Sequence, residues 1–429
     1  MKLSTPLLSS VAWALAFGAP TAWAQTTAPV QKVTGPNARY WVSSEVASGL
    51  SMGGMQGGGD SGVGLASMMA AVMGGGGPRK SLRLELGSVR SANPAEATHT
   101  LPLALNMGSS LPLWSERTAA KPEAVERDIP DTQKFGDKPK GRMLFFWGCG
   151  DNAGPGQPVV LDFAELTNGV VPPNLRSVAI RAQRSGPSFG RDKGFAEWPN
   201  RKDSTALPAQ ASLVGAHRVN GGFIPEIRFQ VGAANDFMDA LSLQQAASPG
   251  GGHRLAWNTV RTALGYFANG MGFKQGDNDS GDIVFWNSSG ARLLGGEQLM
   301  GFLPPAETER LVRDKVVLAA GTTDCVVPKQ VIAAAGGPLM TVNLNAYGPE
   351  LNVVHPPRPE DPKVDWNQEY VVKLRQRAYT GAIGGMAEPG DSARSRTPEG
   401  ALPVDSPATE TKPNVADQAR SILRGIFGR

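Results

Sequence analysis

Glycine and proline recur so often in this chain, 53 and 34 times in 429 residues, that few segments run long enough for an extended helix. Each glycine adds entropic cost to a helix interior, and each proline removes a donor and clashes with the turn before it. Short strands joined by turns escape both penalties, so a mainly β fold is expected.

The first 24 residues have a different texture. Lys2 precedes an apolar stretch from Leu7 to Phe17, then Gly18, Pro20 and Ala22-Trp23-Ala24 ahead of Gln25. This order reads as a cleavable secretory signal, and its apolar core falls short of the roughly 20 residues that cross a bilayer. No later stretch is continuously apolar for about 18 residues, so no transmembrane helix is expected after signal removal. The expected address is the periplasm or another cell-envelope location. Losing Lys2 leaves 41 basic against 38 acidic residues, too small an excess for nucleic acid to be the main partner. The glycine runs are not followed by Lys-Ser/Thr and do not join a strand to a helix. Nucleotides and cofactors are therefore not expected.

After the signal, about 405 residues exceed what one core usually holds. Residues 25–80 form a Gly/Met-rich segment expected to be flexible: from 51 to 77, 11 of 27 residues are Gly and 5 are Met. From Ser81 the period-2 alternation of Leu82, Leu84 and Leu86 with Arg83 and Glu85 marks a half-buried strand and the start of a first β-rich domain, 81–247. A second domain follows over 248–382 after the break at Ser248-Pro249-Gly250-Gly251-Gly252. Further strands are expected at Met143–Trp147, Val159–Phe163, Ser177–Ala182, Ile224–Val231, Val316–Ala320 and Leu339–Tyr347, with a short helix at Lys329–Ala335. In Tyr370–Tyr379, Tyr370, Val372 and Leu374 share one face while Lys373, Arg375 and Arg377 share the other. Such a charged face suits an edge strand guarded against pairing. Residues 383–413 have the composition of a disordered linker.

Within the second domain, Leu255 and Trp257 alternate on one strand, Ala263 and Gly265 mark a turn, Tyr266 opens a second strand and Ile283–Trp286 supplies a third. Over these 30 or so residues the spacing resembles the B and C strands of a fibronectin type III or immunoglobulin-like sandwich, in which a Trp packs between the sheets. The resemblance implies two β-sandwich-like domains and carries no function.

Candidate chemistry is sparse. Two exported cysteines, Cys149 and Cys325, are expected to form a disulfide. Cys149 follows an apolar strand as a nucleophile elbow does, but Trp147 and Asp151 stand where that turn needs glycine. His99, His217, His253 and His355 lack metal-ligand spacing and read as ordinary surface or loop residues. Asp277–Asp282 has the acidity of a calcium loop without its glycine or its final Glu. Met52, Met55, Met68, Met69 and Met73 are too irregular for a copper(I) site. No metal is expected.

The reading that remains is a non-catalytic binding or assembly protein whose partner is an envelope protein, a glycan or a membrane surface. The alternative is an envelope hydrolase acting on glycan or ester substrates, with acids such as Asp162, Glu165, Asp236 or Asp239 assembled by folding. At the C-terminus, residues 414–429 have helical periodicity: Val415, Ala416, Ala419, Ile422, Leu423, Ile426 and Phe427 fall within an arc of about 140°. Ile422, Leu423, Ile426 and Phe427, with Arg420 and Arg424, make this short amphipathic helix a candidate membrane or partner contact.

Overall fold

Period-2 alternation and frequent turns give what they favour, a chain built from strands. The computed structural model describes residues 31–49, 77–116, 141–167, 177–181, 185–276, 280–338 and 340–384. The candidate contacts Arg420, Ile422, Leu423, Arg424, Ile426 and Phe427, the methionine cluster and the signal lie outside the described residues.

In chain order the strands are β1 Val33–Thr34, β2 Ala38–Gly49, β3 Arg79–Ser88, β4 Ala95–Thr100, β5 Ser110–Ser115, β6 Gly141–Trp147, β7 Val159–Asp162, β8 Gly194–Trp198, β9 Gly215–Gly221 and β10 Ile227–Val231. They continue with β11 Leu243–Ala247, β12 His253–Trp257, β13 Gly265–Gln275, β14 Gly281–Asn287, β15 Leu318–Ala319, β16 Asp324–Val327, β17 Met340–His355, β18 Trp366–Asn367 and β19 Tyr370–Ile383. Three short helices, α1 Phe163–Thr167, α2 Pro305–Arg313 and α3 Lys329–Ala334, lie among them. Ser177–Arg181 forms no ladder, contrary to expectation. Val178 instead bonds the carbonyl of Arg292 through its N–H, and Val178 and Ile180 pack on an apolar cluster.

One 14-stranded sheet dominates, in the order β10-β9-β4-β5-β8-β3-β2-β19-β17-β13-β14-β6-β7 with β15 against β13. A three-stranded sheet, β11-β12-β16, and a two-stranded one, β1-β18, complete the described strands. β19 is central rather than at an edge, paired antiparallel with β17 and parallel with β2. Its charged face consequently does not guard an edge. It is roofed by residues 297–303, and Arg377 is only 8% exposed.

The large sheet coils strongly. β2 and β4 are four strand spacings apart, about 19 Å on a flat sheet, yet the Tyr40 hydroxyl lies 2.9 Å from His99 Nδ1. On the next flank, the Tyr370 hydroxyl of β19 meets both the N–H and the carbonyl of Arg228 in β10. The coiled half encloses a core that includes Tyr40, Leu84, Leu113, Trp198, Val219 and Leu374. The three-stranded sheet covers the same face of the other half, where Leu255, Trp257 and Val327 pack with Tyr266, Val284, Trp286 and Leu344.

β2 and β19 serve both cores, and their side chains record the change. Val42 and Leu374 belong to the first core, Val46 and Ala378 to the second, and between them Ser44 stands opposite Gln376. Polar residues thus occupy the register row that separates the two apolar clusters.

Candidate functional site

On the outer face of the coiled half, alternation turns the polar partner of every buried residue outward. Register then aligns six strands into one transverse row: Lys373 of β19 beside Trp41 of β2, Glu85 of β3, Glu197 of β8, Trp114 of β5 and Glu96 of β4. No spacing in the sequence links these residues. The ladder alone brings them together.

The two ends of the row differ. At the β2 end the Arg375 guanidinium lies 4.7 Å above the Trp41 ring and 4.2 Å from the Phe302 ring. Arg377 stacks between Phe302 and Tyr379 and donates to Glu45 at 2.7 Å. A Cβ at Gly186 would come within 2.9 Å of the Trp41 ring, so the backbone there presses on the indole. Trp41 is 8% exposed and closed to a ligand. Burial pulls the Arg375 guanidinium below its usual value, against the attraction of Glu85, Glu45 and Glu350.

In the middle, Glu85 and Glu197 are directly opposed on antiparallel strands, and such pairs hold their Cβ atoms about 5 Å apart. Arg83 bridges them, 3.2 Å from Glu85 and 3.3 Å from Glu197. Burial raises the Glu197 carboxyl above its usual range; Arg83 opposes that shift and Glu85 reinforces it.

Toward β4 and β9 the row opens into a groove of about 300 Å³, lined by Glu96, Thr98, Pro112, Trp114, Lys202 and Asn220 among others. Lys202 Nζ sits 4.8 Å from the Trp114 ring centre and 2.7 Å from Glu96. The loop carrying Lys202 is pinned by Asn200, whose Nδ2 donates to the carbonyls of Pro112 and Glu197 at 2.7 Å each. Rigid strands and a pinned loop therefore set the groove.

The expected disulfide is present: Cys149 and Cys325 are bonded with Cα atoms 5.2 Å apart, tying the end of β6 to β16. Three of the four acids weighed for hydrolysis are occupied locally, and the fourth, Glu165, is exposed on α1. Asp162 accepts from the N–H of Ala164, and Glu165 follows on α1. Asp236 accepts from Ser212 and from the N–H of Leu213, and Asp239 pairs with Arg261.

The histidines depart from the surface reading, since His99, His217 and His253 are all buried. His99 Nε2 lies 3.0 Å from His217 Nδ1, and His217 Nε2 lies 2.7 Å from the Leu213 carbonyl. The alternation of Ala95, Ala97 and His99 against Glu96, Thr98 and Thr100 already placed His99 on the apolar face.

No protein-family model, no curated protein and no solved structure matches this chain.

Proposed function

We propose that this is an exported cell-envelope protein that binds or assembles with an envelope component, with the groove beside Trp114 as its contact surface. The observation that carries the reading is the groove itself: a half-buried indole, outward polar side chains of β4 and β9 and a pinned cationic loop meet on one rigid face. The disulfide supports an oxidising compartment. The supporting frame is sandwich-like, the three-stranded sheet sharing a core with the large one. Ile422, Leu423, Ile426, Phe427, Arg420 and Arg424 would supply a second contact, to a membrane or an acidic partner.

The test is retention of the purified, disulfide-bonded protein on washed envelope fractions. A marked loss of retention in Trp114→Ala supports the groove, and equal retention overturns it.

The second reading, hydrolysis of envelope glycan or ester substrates, now has a specific pair in its favour. Glu85 and Glu197 are neighbours, and a carboxyl raised by burial beside a second carboxylate is the arrangement of a general acid with its partner. Release of soluble products from envelope polymers by the parent but not by Glu197→Gln would establish it. Arg83, bridging both carboxylates, favours the non-catalytic reading because it engages the two groups that catalysis would need free.

A further inference from the structure

Resting on the groove as a binding surface, we propose that its ligand is a neutral saccharide, held by its hydroxyls and by one ring face against Trp114. Three features of the groove select this class over the other polymers an envelope offers.

The first is the state of the backbone. β4 lies between β9 and β5, and β5 lies between β4 and β8. At the groove β5 pairs β8 through the Trp114–Glu197 register alone, and Asn200 Nδ2 takes the Pro112 carbonyl, so an extended peptide finds little free ladder to join. Recognition there falls to side chains.

The second is charge. Glu96 and Lys202, the groove's carboxylate and ammonium, are bonded to each other at 2.7 Å. Farther along the row Arg83 answers Glu85 and Glu197. Within the groove a ligand with a strong net charge of either sign meets its own sign as closely as the opposite one. An uncharged ligand avoids that conflict.

The third is the mixture of surfaces. Trp114 offers a half-buried indole, too little to hold an acyl chain or a membrane; the exposed Lys202 side chain lies over its ring at 4.8 Å and has to swing aside for a sugar ring to stack there. The Thr98 hydroxyl, the Glu96 carboxylate held by Lys202 and the Asn220 amide oriented by Arg218 and Glu226 supply acceptors and donors, with Thr98 opposite both Asn220 and Pro112. A flat indole beside convergent hydroxyl, amide and carboxylate groups complements a ring that carries C–H bonds on its face and hydroxyls on its rim.

Isothermal titration with hexasaccharides of N-acetylglucosamine and of glucose, alongside polygalacturonate and trilysine, reads the preference directly. The expected result is saturable binding of at least one neutral hexasaccharide and none of the two charged probes. Trp114→Ala should weaken that binding by about tenfold or more, while Trp114→Phe, which keeps an aromatic face, retains most of it. Thr98→Val, an exposed and nearly isosteric change, should weaken it without touching the fold. Failure of both neutral hexasaccharides to bind, or binding unchanged in both Trp114→Ala and Thr98→Val, overturns the assignment. If envelope retention still depends on Trp114 while neither hexasaccharide binds, the ligand class falls and the groove stands. If retention is indifferent to Trp114, the groove falls with it.

Discussion

His99 donates through Nε2 to Nδ1 of His217 across 3.0 Å, and the direction of that bond is fixed by what lies at its two ends. The Leu213 carbonyl can only accept, so His217 carries its proton on Nε2 and offers Nδ1 as an acceptor. His99 must then donate from Nε2 and accept at Nδ1 from the Tyr40 hydroxyl. One arrangement of neutral tautomers satisfies every partner, and Phe229 stacks on His217 to seal it. A proton added to either ring leaves the chain with one donor too many.

This predicts acid lability with a defined window. Burial holds His99 well below its ordinary value, helped by repulsion from His217, and burial lowers His217 against the pull of the Leu213 carbonyl. The unfolded chain binds protons at these sites from about pH 6.5 downward while the folded chain does not. The stabilisation is complete above that pH and is lost as pH falls below it, at up to about 1.4 kcal/mol per pH unit for each imidazole. Asp236 accepts from the N–H of Leu213, whose carbonyl holds His217, and the Tyr40 hydroxyl is bonded to His99. Denaturant titrations at pH 8, 6.5 and 5 should show a flat upper segment and a falling lower one, shallower in His217→Gln. A lower segment of equal slope in the variant would remove His217 from the account.

Trp257 is buried at 5% exposure, with its ring centre 5.7 Å from that of Tyr266. The two belong to different sheets, so the pair ties the three-stranded sheet to the large one. Trp257→Ala should cost about 3–5 kcal/mol in chemical denaturation, and Trp257→Phe clearly less. Near-equal losses in the two variants would mean that ring volume is not what matters there.

Trp257 and the strands at 82–86 and 370–379 were legible because alternation is local: a period of two needs only one strand to be read. Pairing is not local. Nothing in Ala38–Gly49 announces a parallel partner at Tyr370–Ile383, and without that partner the charged face of β19 looks like an edge. The roof over Arg375 and Arg377 is not legible in the sequence for the same reason, since Phe302 becomes their neighbour only through the fold. Glu85 was visible as the outward residue of a strand, but its pairing with Glu197 depends on which strands become adjacent. Three of the acids nominated from composition, Asp236 and Asp239 among them, turned out to be committed to local bonds that the sequence does not display.

Reducing the disulfide should destabilise the protein substantially. Cys149 and Cys325 are 176 residues apart, and on the chain-entropy account a loop of that size contributes roughly 5 kcal/mol, offset by any strain in the bridge. The local cost falls on the segment after β6, which also leans on β16 and α3 through Gly150 N–H to the Val326 carbonyl and Lys329 N–H to the Asp151 carbonyl. A Cys149→Ser, Cys325→Ser double variant should unfold at markedly lower denaturant, with hydrogen exchange rising first at Gly150 and in β16. Protection unchanged at those amides would show that the hydrogen bonds hold the junction without the bridge.

Gln376 offers the opposite case, a position where replacing the natural residue is expected to strengthen the fold. It is 2% exposed on β19, and among the described residues neither end of its amide has a hydrogen-bond partner. A buried amide without partners costs on the order of 1–3 kcal/mol in lost hydration. Its neighbours are apolar or small: Gly348, where an added Cβ would lie 2.9 Å from Gln376 Cβ, and Met238. Leu374 and Ala378, two residues away on either side, both belong to apolar cores. Methionine has nearly the length and flexibility of glutamine and no hydrogen-bonding demand, so Gln376→Met should raise stability by about 1–2 kcal/mol. Gln376→Ala should not, because the cavity it leaves offsets what removing the amide gains. The comparison also bears on the seam between the two cores, where Ser44 opposes Gln376 in the ladder. If Gln376→Met sharpens the denaturation transition as well as shifting it, the polar row loosens coupling between the cores. A loss of stability in Gln376→Met would mean that an internal water satisfies the amide and that the row is a designed polar contact.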